Sequence, residues 1–352
     1  MMRVDMRNLK FQYQRTANIT EQTEPLKRIK MNFGSASSWC FTVVLGVLCA
    51  SCGSTEKTKT VVVLTTGAAR NVTRMTQTPQ DETNPVVSPD GKTVAFQVRK
   101  DNQYDIWTMD SATGRNAIQA TSHPMQDIQP TWMPDSKTLV FASDRLGSFA
   151  LWRQLASGGG GTTMITKGAD MNDFAPSVAP TSSRKIAFAS KGTAKEVFIV
   201  TGAKQYTVFE KNLPYIWTVN VDGSELTQFV RGAYPVWSPD GKQLAFSSDI
   251  SGNWDIWTIS ADGSGLTQLT DDPKNQFAPS YSPDGKWVTF SSNVTANYDI
   301  WLMKIDGSSR TQLTTDKSED VTPFWGADGN IYFASNKTGN WDIWRLTPVL
   351  PE

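Results

Sequence analysis

The chain has 352 residues, with 34 Lys+Arg against 34 Asp+Glu and a single His, which is enough for one large domain or two ordinary ones. Residues 1–52 carry seven basic and three acidic side chains, leaving 27 basic against 31 acidic in the remainder, so the body lacks the basic excess that a nucleic acid or an anionic membrane surface requires. A hydrophobic content of 39% excludes a polytopic membrane protein, and thirteen Trp beside one imidazole favour packed strands over His-based hydrolytic or metal chemistry.

The amino-terminal segment, 1–52, reads as a leader. Lys27, Arg28 and Lys30 precede an apolar run from Phe41 to Ala50, and the small residues Ser51, Cys52, Gly53 and Ser54 follow. About ten apolar residues make a signal-peptide core too short to span a membrane. Cys40, Cys49 and Cys52 all lie before residue 53, so the body offers neither a disulfide nor a thiol nucleophile. Leu48-Cys-Ala-Ser-Cys52 resembles a bacterial lipoprotein signal, although Cys49 stands where that pattern prefers an aliphatic residue. The resemblance implies that Cys52 carries the lipid, and that Gly53 after it directs the protein to the outer membrane. An ordinary cleaved signal and an uncleaved anchor are the alternatives. Residues 53–70 form a tether.

Six repeats fill the rest. One unit runs Tyr234-Pro-Val-Trp-Ser-Pro-Asp-Gly-Lys-Gln-Leu-Ala-Phe246, then Trp254-Asp-Ile-Trp257, Ala261-Asp-Gly-Ser264 and Leu266-Thr-Gln-Leu-Thr270; the next follows 44 residues later. Others are anchored at Ser88-Pro-Asp-Gly91, Met133-Pro-Asp-Ser136, Ala179-Pro-Thr-Ser182 and Gly326-Ala-Asp-Gly329. Each unit alternates four short β-rich segments with turn chemistry: Pro presets φ, Asp supplies an acceptor and Gly takes the left-handed position. This predicts an all-β, six-bladed propeller of four-stranded antiparallel blades over 71–348, with a 349–352 tail, in which Trp107, Trp152, Trp217, Trp257, Trp301 and Trp344 pack between blades. The sixth unit stops after its third strand, and Asn71-Val-Thr-Arg-Met-Thr76 reads like the missing fourth. That strand is expected to close the ring and remove an exposed edge.

The Pro-x-Trp-Ser-Pro-Asp-Gly-Lys opening and the Asp-Ile-Trp centre resemble the TolB-like propellers across residues 71–346. The resemblance implies a periplasmic binding protein of the kind that serves the Tol-Pal envelope system. TolB proper carries an α/β domain ahead of its propeller, and only about twenty residues separate Cys52 from the latch strand here, so a lipoprotein relative lacking that domain is expected.

Function in propellers sits on the face formed by loops joining strand two to three and strand four to the next strand one. Three residues before the strand-one proline the units carry Glu82, Asp127, Asp173, Gly232, Gln276 and Asp320. Four carboxylates there would ring the channel mouth, raise one another's pKa, and attract a cation or a basic peptide; alternatively each caps its own turn. An insertion between Ser190 and Tyr215 predicts a β-hairpin over 196–210 with Thr201-Gly-Ala-Lys204 at its tip, offering Phe198, Tyr206 or Phe209 to a partner. Asp249, Asn253 and Asp255, with Asp299 and Asp342, do not match a calcium loop and read as hairpin braces. Ser157-Gly-Gly-Gly-Gly161 lacks the Lys-Ser/Thr of a phosphate loop. There is no Gly-x-Ser-x-Gly elbow, and His123 alone builds neither a triad nor a metal site. The expectation is a monomeric, non-catalytic lipoprotein on the periplasmic face of the outer membrane, without cofactor, metal or nucleic acid, that binds an envelope protein through its loop face. The alternative is a small-molecule or cation receptor, or an enzyme acting on envelope carbohydrate or peptide at the channel mouth.

Overall fold

The computed structural model describes residues 65–66, 69–167, 171–181, 184–192, 196–201, 204–209 and 213–351. The leader and Cys52 lie outside the described residues, as does the tether apart from residues 65–66 and 69–70. Every regular element described is a strand, and no helix among the described residues is long and apolar enough to cross a membrane.

The turn residues dictate the meanders. In the first, fourth and fifth units Asp90, Asp240 and Asp284 accept a bond from the backbone N–H two residues on and another from the Ser hydroxyl two residues before. The glycine that follows each has φ between +68° and +74°. Six antiparallel blades result. The first comprises Asp81–Val87, Thr93–Lys100, Gln103–Asp110 and Ile118–Gln119; the second Asp127–Trp132, Thr138–Ser143, Ala150–Leu155 and Thr163–Met164. The third comprises Met171–Val178, Ile186–Gly192, Tyr215–Val219 and Thr227–Arg231; the fourth Ala233–Trp237, Gln243–Ser248, Asp255–Ser260 and Thr267–Gln268. The fifth comprises Gln276–Tyr281, Trp287–Ser292, Asp299–Lys304 and Thr311–Gln312, with Thr65–Thr66 added in parallel at its outer edge. The sixth has three strands of its own, Asp320–Trp325, Ile331–Ser335 and Asp342–Pro348, and Ala69–Arg74 supplies the fourth. The expected latch is therefore present, pairing Arg70 with Thr347 and Arg74 with Trp344.

No single interior core exists among the described residues; six apolar clusters occupy the six seams between neighbouring blades. Val140 and Leu151 of the second blade meet Ile186 and Phe188 of the third, and Val87 and Phe96 of the first meet Tyr332 and Ile343 of the sixth. Burial at each seam replaces the two-layer core of a sandwich, so each blade depends on both neighbours.

One feature of the inner strands was not legible in the repeats. Each strand shifts register just before its proline, and Asn84, Gln129, Ala175, Tyr234, Ala278 and Thr322 take φ between +49° and +53°. Such a left-handed residue costs about 1–2 kcal/mol. The seam offsets part of this, because the freed N–H is accepted by the preceding blade: Gln129 N–H by Gln97 Oε1 at 3.0 Å, Ala175 N–H by Gln129 Oε1 at 2.8 Å, and Thr322 N–H by Ser291 Oγ at 3.1 Å. These bulged residues and the following prolines line one part of the central channel, with free space of about 120 Å³, and a second axial cavity of about 310 Å³ lies along the ends of the same strands.

Candidate functional site

The four carboxylates expected to ring the channel mouth are placed elsewhere. None of them lines the channel. Glu82, Asp127, Asp173 and Asp320 are 0 to 3% exposed, buried in the blade seams, so none faces a partner across the loop face. Their backbones explain the position. The N–H at this point of the inner strand donates across the seam to the carbonyl before the preceding blade's third strand: Glu82 to Trp341 at 2.8 Å, Asp173 to Phe149 at 2.9 Å and Asp320 to Tyr298 at 2.7 Å. Gly232 and Gln276 make the same bond to Pro214 and Trp254, so the residue stitches blades whatever its side chain.

Side-chain partners then decide each charge. Glu82 accepts from the hydroxyls of Thr76 (3.0 Å) and Thr78, and Asp173 from Thr166 (2.6 Å) and Ser190 (2.7 Å). Asp127 is paired with Arg145 Nη2 at 2.8 Å. Burial pushes Glu82 up to about 7 against the pull of the threonine hydroxyls, and it pushes Asp320 up to about 6 and Asp173 upward. The like charges that add to these shifts belong to other positions, Asp342 beside Glu82 and Asp316 and Asp299 beside Asp320. Mutual repulsion around a ring is not the cause.

A pH dependence follows from Glu82. Its folded pKa lies above its usual value of 4.5, so between pH 4.5 and about 7 the folded chain holds a proton that the unfolded chain releases. Stability from this group is greatest below pH 4.5 and is lost as pH rises through 7, by about 3 kcal/mol. Glu82→Gln is expected to flatten that slope and to melt above the parent at pH 8, as read from urea unfolding at pH 5 and pH 8. An unchanged slope would show that Glu82 is not the titrating group.

The third-strand aspartates are braces, as expected. Asp299 accepts from Thr295 (2.9 Å), Gln312 (3.0 Å) and Thr314 (3.3 Å), and Asp255 from Ser251, Gln268 and Thr270. Asn253 donates to the carbonyls of Asp272 and Lys274, and Asn340 to those of Thr78 and Gln80, tying each hairpin to the next inter-blade loop. Asp249 instead pairs with Arg231 at 2.7 Å. His123 Nδ1 accepts from Met125 N–H, and His123 shares a cavity of about 330 Å³ with Asp127 and Arg145. Among the described residues no group of three or more His, Cys, Asp or Glu could hold a metal ion.

The insertion in the third blade forms the predicted hairpin. Glu196–Thr201 pairs with Lys204–Phe209 from Glu196↔Phe209 to Thr201↔Lys204, as a two-stranded sheet of its own. It joins strands two and three of its blade, which places its root on the loop face. The side chains of Phe198, Tyr206 and Phe209 lie outside the described residues.

The sequence matches the TolB beta propeller domain over residues 52–205, 201–297 and 274–348. The chain belongs to this TolB propeller family. Among solved structures, a putative TolB from Agrobacterium tumefaciens is 19% identical with a TM-score of 0.57, covering 79% of this chain and 97% of that one. TolB from Acinetobacter baumannii is 17% identical with a TM-score of 0.57, and 78% of this chain covers 65% of it. The TolB fold is shared more widely: an oligogalacturonate lyase from Vibrio parahaemolyticus is 12% identical with a TM-score of 0.53, covering 78% of this chain and 93% of that one. No curated protein matches the chain significantly. At these identities the structural likenesses show the fold alone.

Proposed function

We propose that this TolB-family chain is a non-catalytic binding propeller, tethered by a lipid on Cys52 to the periplasmic face of the outer membrane, that holds another envelope protein against its loop face. The observation that carries the reading is the 196–209 hairpin, a sheet of its own that pairs with no blade strand among the described residues and is rooted among the loops. A short sheet that joins no blade offers strand edges for β-addition, a mode in which main-chain bonds supply affinity. The seam-buried carboxylates direct attention away from the channel mouth and towards this hairpin. Membership of the TolB family supports an envelope setting.

Replacing residues 194–212 by a short turn is expected to abolish saturable capture of one envelope protein from the organism's own membrane extract, while leaving the melting transition of the ring unchanged. Capture by both forms would remove the hairpin from the interface, and capture by neither would remove the binding reading. Cys52→Ser is expected to move the protein from the membrane fraction to the soluble fraction; unchanged partitioning would sink the lipid anchor.

A further inference from the structure

Internal repetition makes a local departure visible. In the fourth, fifth and sixth blades the loop between strands two and three folds back so that a hydroxyl of Ser251, Thr295 or Thr338 donates to the third-strand carboxylate. Those carboxylates, Asp255, Asp299 and Asp342, are fully buried. The first blade has the same spacing, since Phe96 pairs with Trp107 as Phe246 pairs with Trp257. There, however, the strands continue pairing through Lys100↔Gln103 to a two-residue turn at Asp101 and Asn102, with φ of 51° and 65°, the conformation of a tight hairpin turn. The hairpin stands straight, no hydroxyl of its own turn reaches Asp105, and Asp105 keeps a long bond from Thr121 (3.5 Å) and one from Gln119. Its half-buried carboxyl instead lines a cavity of about 990 Å³ between the latch segment and the outer strands of the first blade.

The lining discriminates among ligands. Arg74 is already paired with Asp342, and Glu82 with the Thr76 and Thr78 hydroxyls, which leaves Lys100 and Arg115 against Asp101 and Asp105, so an anion would leave carboxylates unpaired and a cation would leave basic groups unpaired. The floor is apolar, formed by Met75, Phe96 and Val98, and the half-buried indole of Trp107 adjoins it. The amides of Gln77 and Gln80 both donate and accept, while Gln103 donates to His123 O and Gln119 bonds Asp105, which holds those two side chains in place at the rim. Burial pushes the Asp105 carboxyl up to about 6, above the usual carboxylate range. Groups that donate and accept side by side suit hydroxyls, which do the same, and an aromatic face suits a ring of C–H groups.

We propose that this lateral cavity binds a neutral saccharide, one sugar ring packing against Trp107 while the glutamine amides and Asp105 take its vicinal hydroxyls. The site lies apart from the loop-face hairpin and does not depend on the partner proposed there.

The test uses the full chain in calorimetric titration and Trp fluorescence, with glucose, galactose, N-acetylglucosamine, cellotriose and chitotriose as probes, and glucose 6-phosphate and spermidine as charged counterparts. Saturable binding of a neutral sugar with a Kd between about 10 μM and 1 mM is expected. Gln77→Ala, and Ala117→Trp at the exposed rim to fill the cavity, are each expected to weaken it at least about tenfold with an unchanged melting temperature. The proposal is overturned if no neutral sugar binds, if a charged probe binds more tightly than all of them, or if the filled variant binds as the parent does.

Discussion

A chain beginning at Gln77 is expected to lose its cooperative melting transition. The segment removed supplies the sixth blade's fourth strand, and its last residues enter the seam with the first blade. Met75 is buried there beside Val87, Phe96, Tyr332 and Ile343, and its N–H donates to Ile343 O at 2.8 Å. The turn of the first blade docks on the same residue: a Cβ on Gly114, which sits at φ +69°, would lie 2.4 Å from Met75 O. Arg74 pairs with fully buried Asp342 at 2.9 Å, and the Thr76 hydroxyl accepts from Ile343 N–H and donates to Glu82. Loss of the buried methionine side chain costs about 2–5 kcal/mol, and leaving Asp342 charged without its partner costs about 3–5 kcal/mol more. Together these approach the whole stability of an ordinary domain, about 5–15 kcal/mol. Adding a synthetic peptide of residues 65–78 in trans is expected to restore the transition, as followed by near-ultraviolet circular dichroism. A truncated chain that melts at the parent's midpoint would show that ring closure contributes little.

Arg145→Met is expected to cost about 3–5 kcal/mol, the range for breaking one partner out of a buried ion pair. Asp127 is fully buried, and the Arg145 side chain is itself mostly covered, so water cannot take over the lost charge. The guanidinium also lies 4.7 Å from the centre of the Trp152 ring and donates to Ser143 Oγ at 2.9 Å. Methionine keeps much of the packing volume, so the loss should be mainly electrostatic. Asp127→Asn in the same chain should then recover most of it, because a neutral amide in that seam no longer needs a counter-charge. Urea unfolding of the two single variants and the double variant measures the coupling. A double variant less stable than Arg145→Met would mean that Asp127 is held by groups other than this arginine.

The six repeats made the fold legible because each is a complete local instruction. Pro-Asp-Gly and Asp-Gly closed the turns, and the Trp of Asp-Ile-Trp marked the face packed on a neighbour. The latch was legible by subtraction, since a sixth unit lacking Thr-Gln-Leu-Thr needs Thr73-Arg-Met-Thr76 from elsewhere. The insertion was legible as a hairpin because Gly and Ala interrupt two β-branched and aromatic runs at 202–203.

The direction of the inner-strand carboxylates was not legible. Alternation along a regular strand relates neighbouring side chains to opposite faces, but the residue before each proline is left-handed and breaks that alternation, where a residue before proline is ordinarily extended. The first-blade cavity was hidden for a related reason. Residues 99–104 match in length the loops 249–254 and 293–298 that fold back in other blades, and only pairing across the hairpin shows that this one stands straight. Turn chemistry and hydrophobic period, being local, determined the blades, their number and the closure of the ring. Which side chains meet in the seams, and therefore which carboxylates are buried, braced or left lining a cavity, was decided by contacts between residues far apart in the chain, such as Arg74 with Asp342, 268 positions on, and these exist only once the ring has closed.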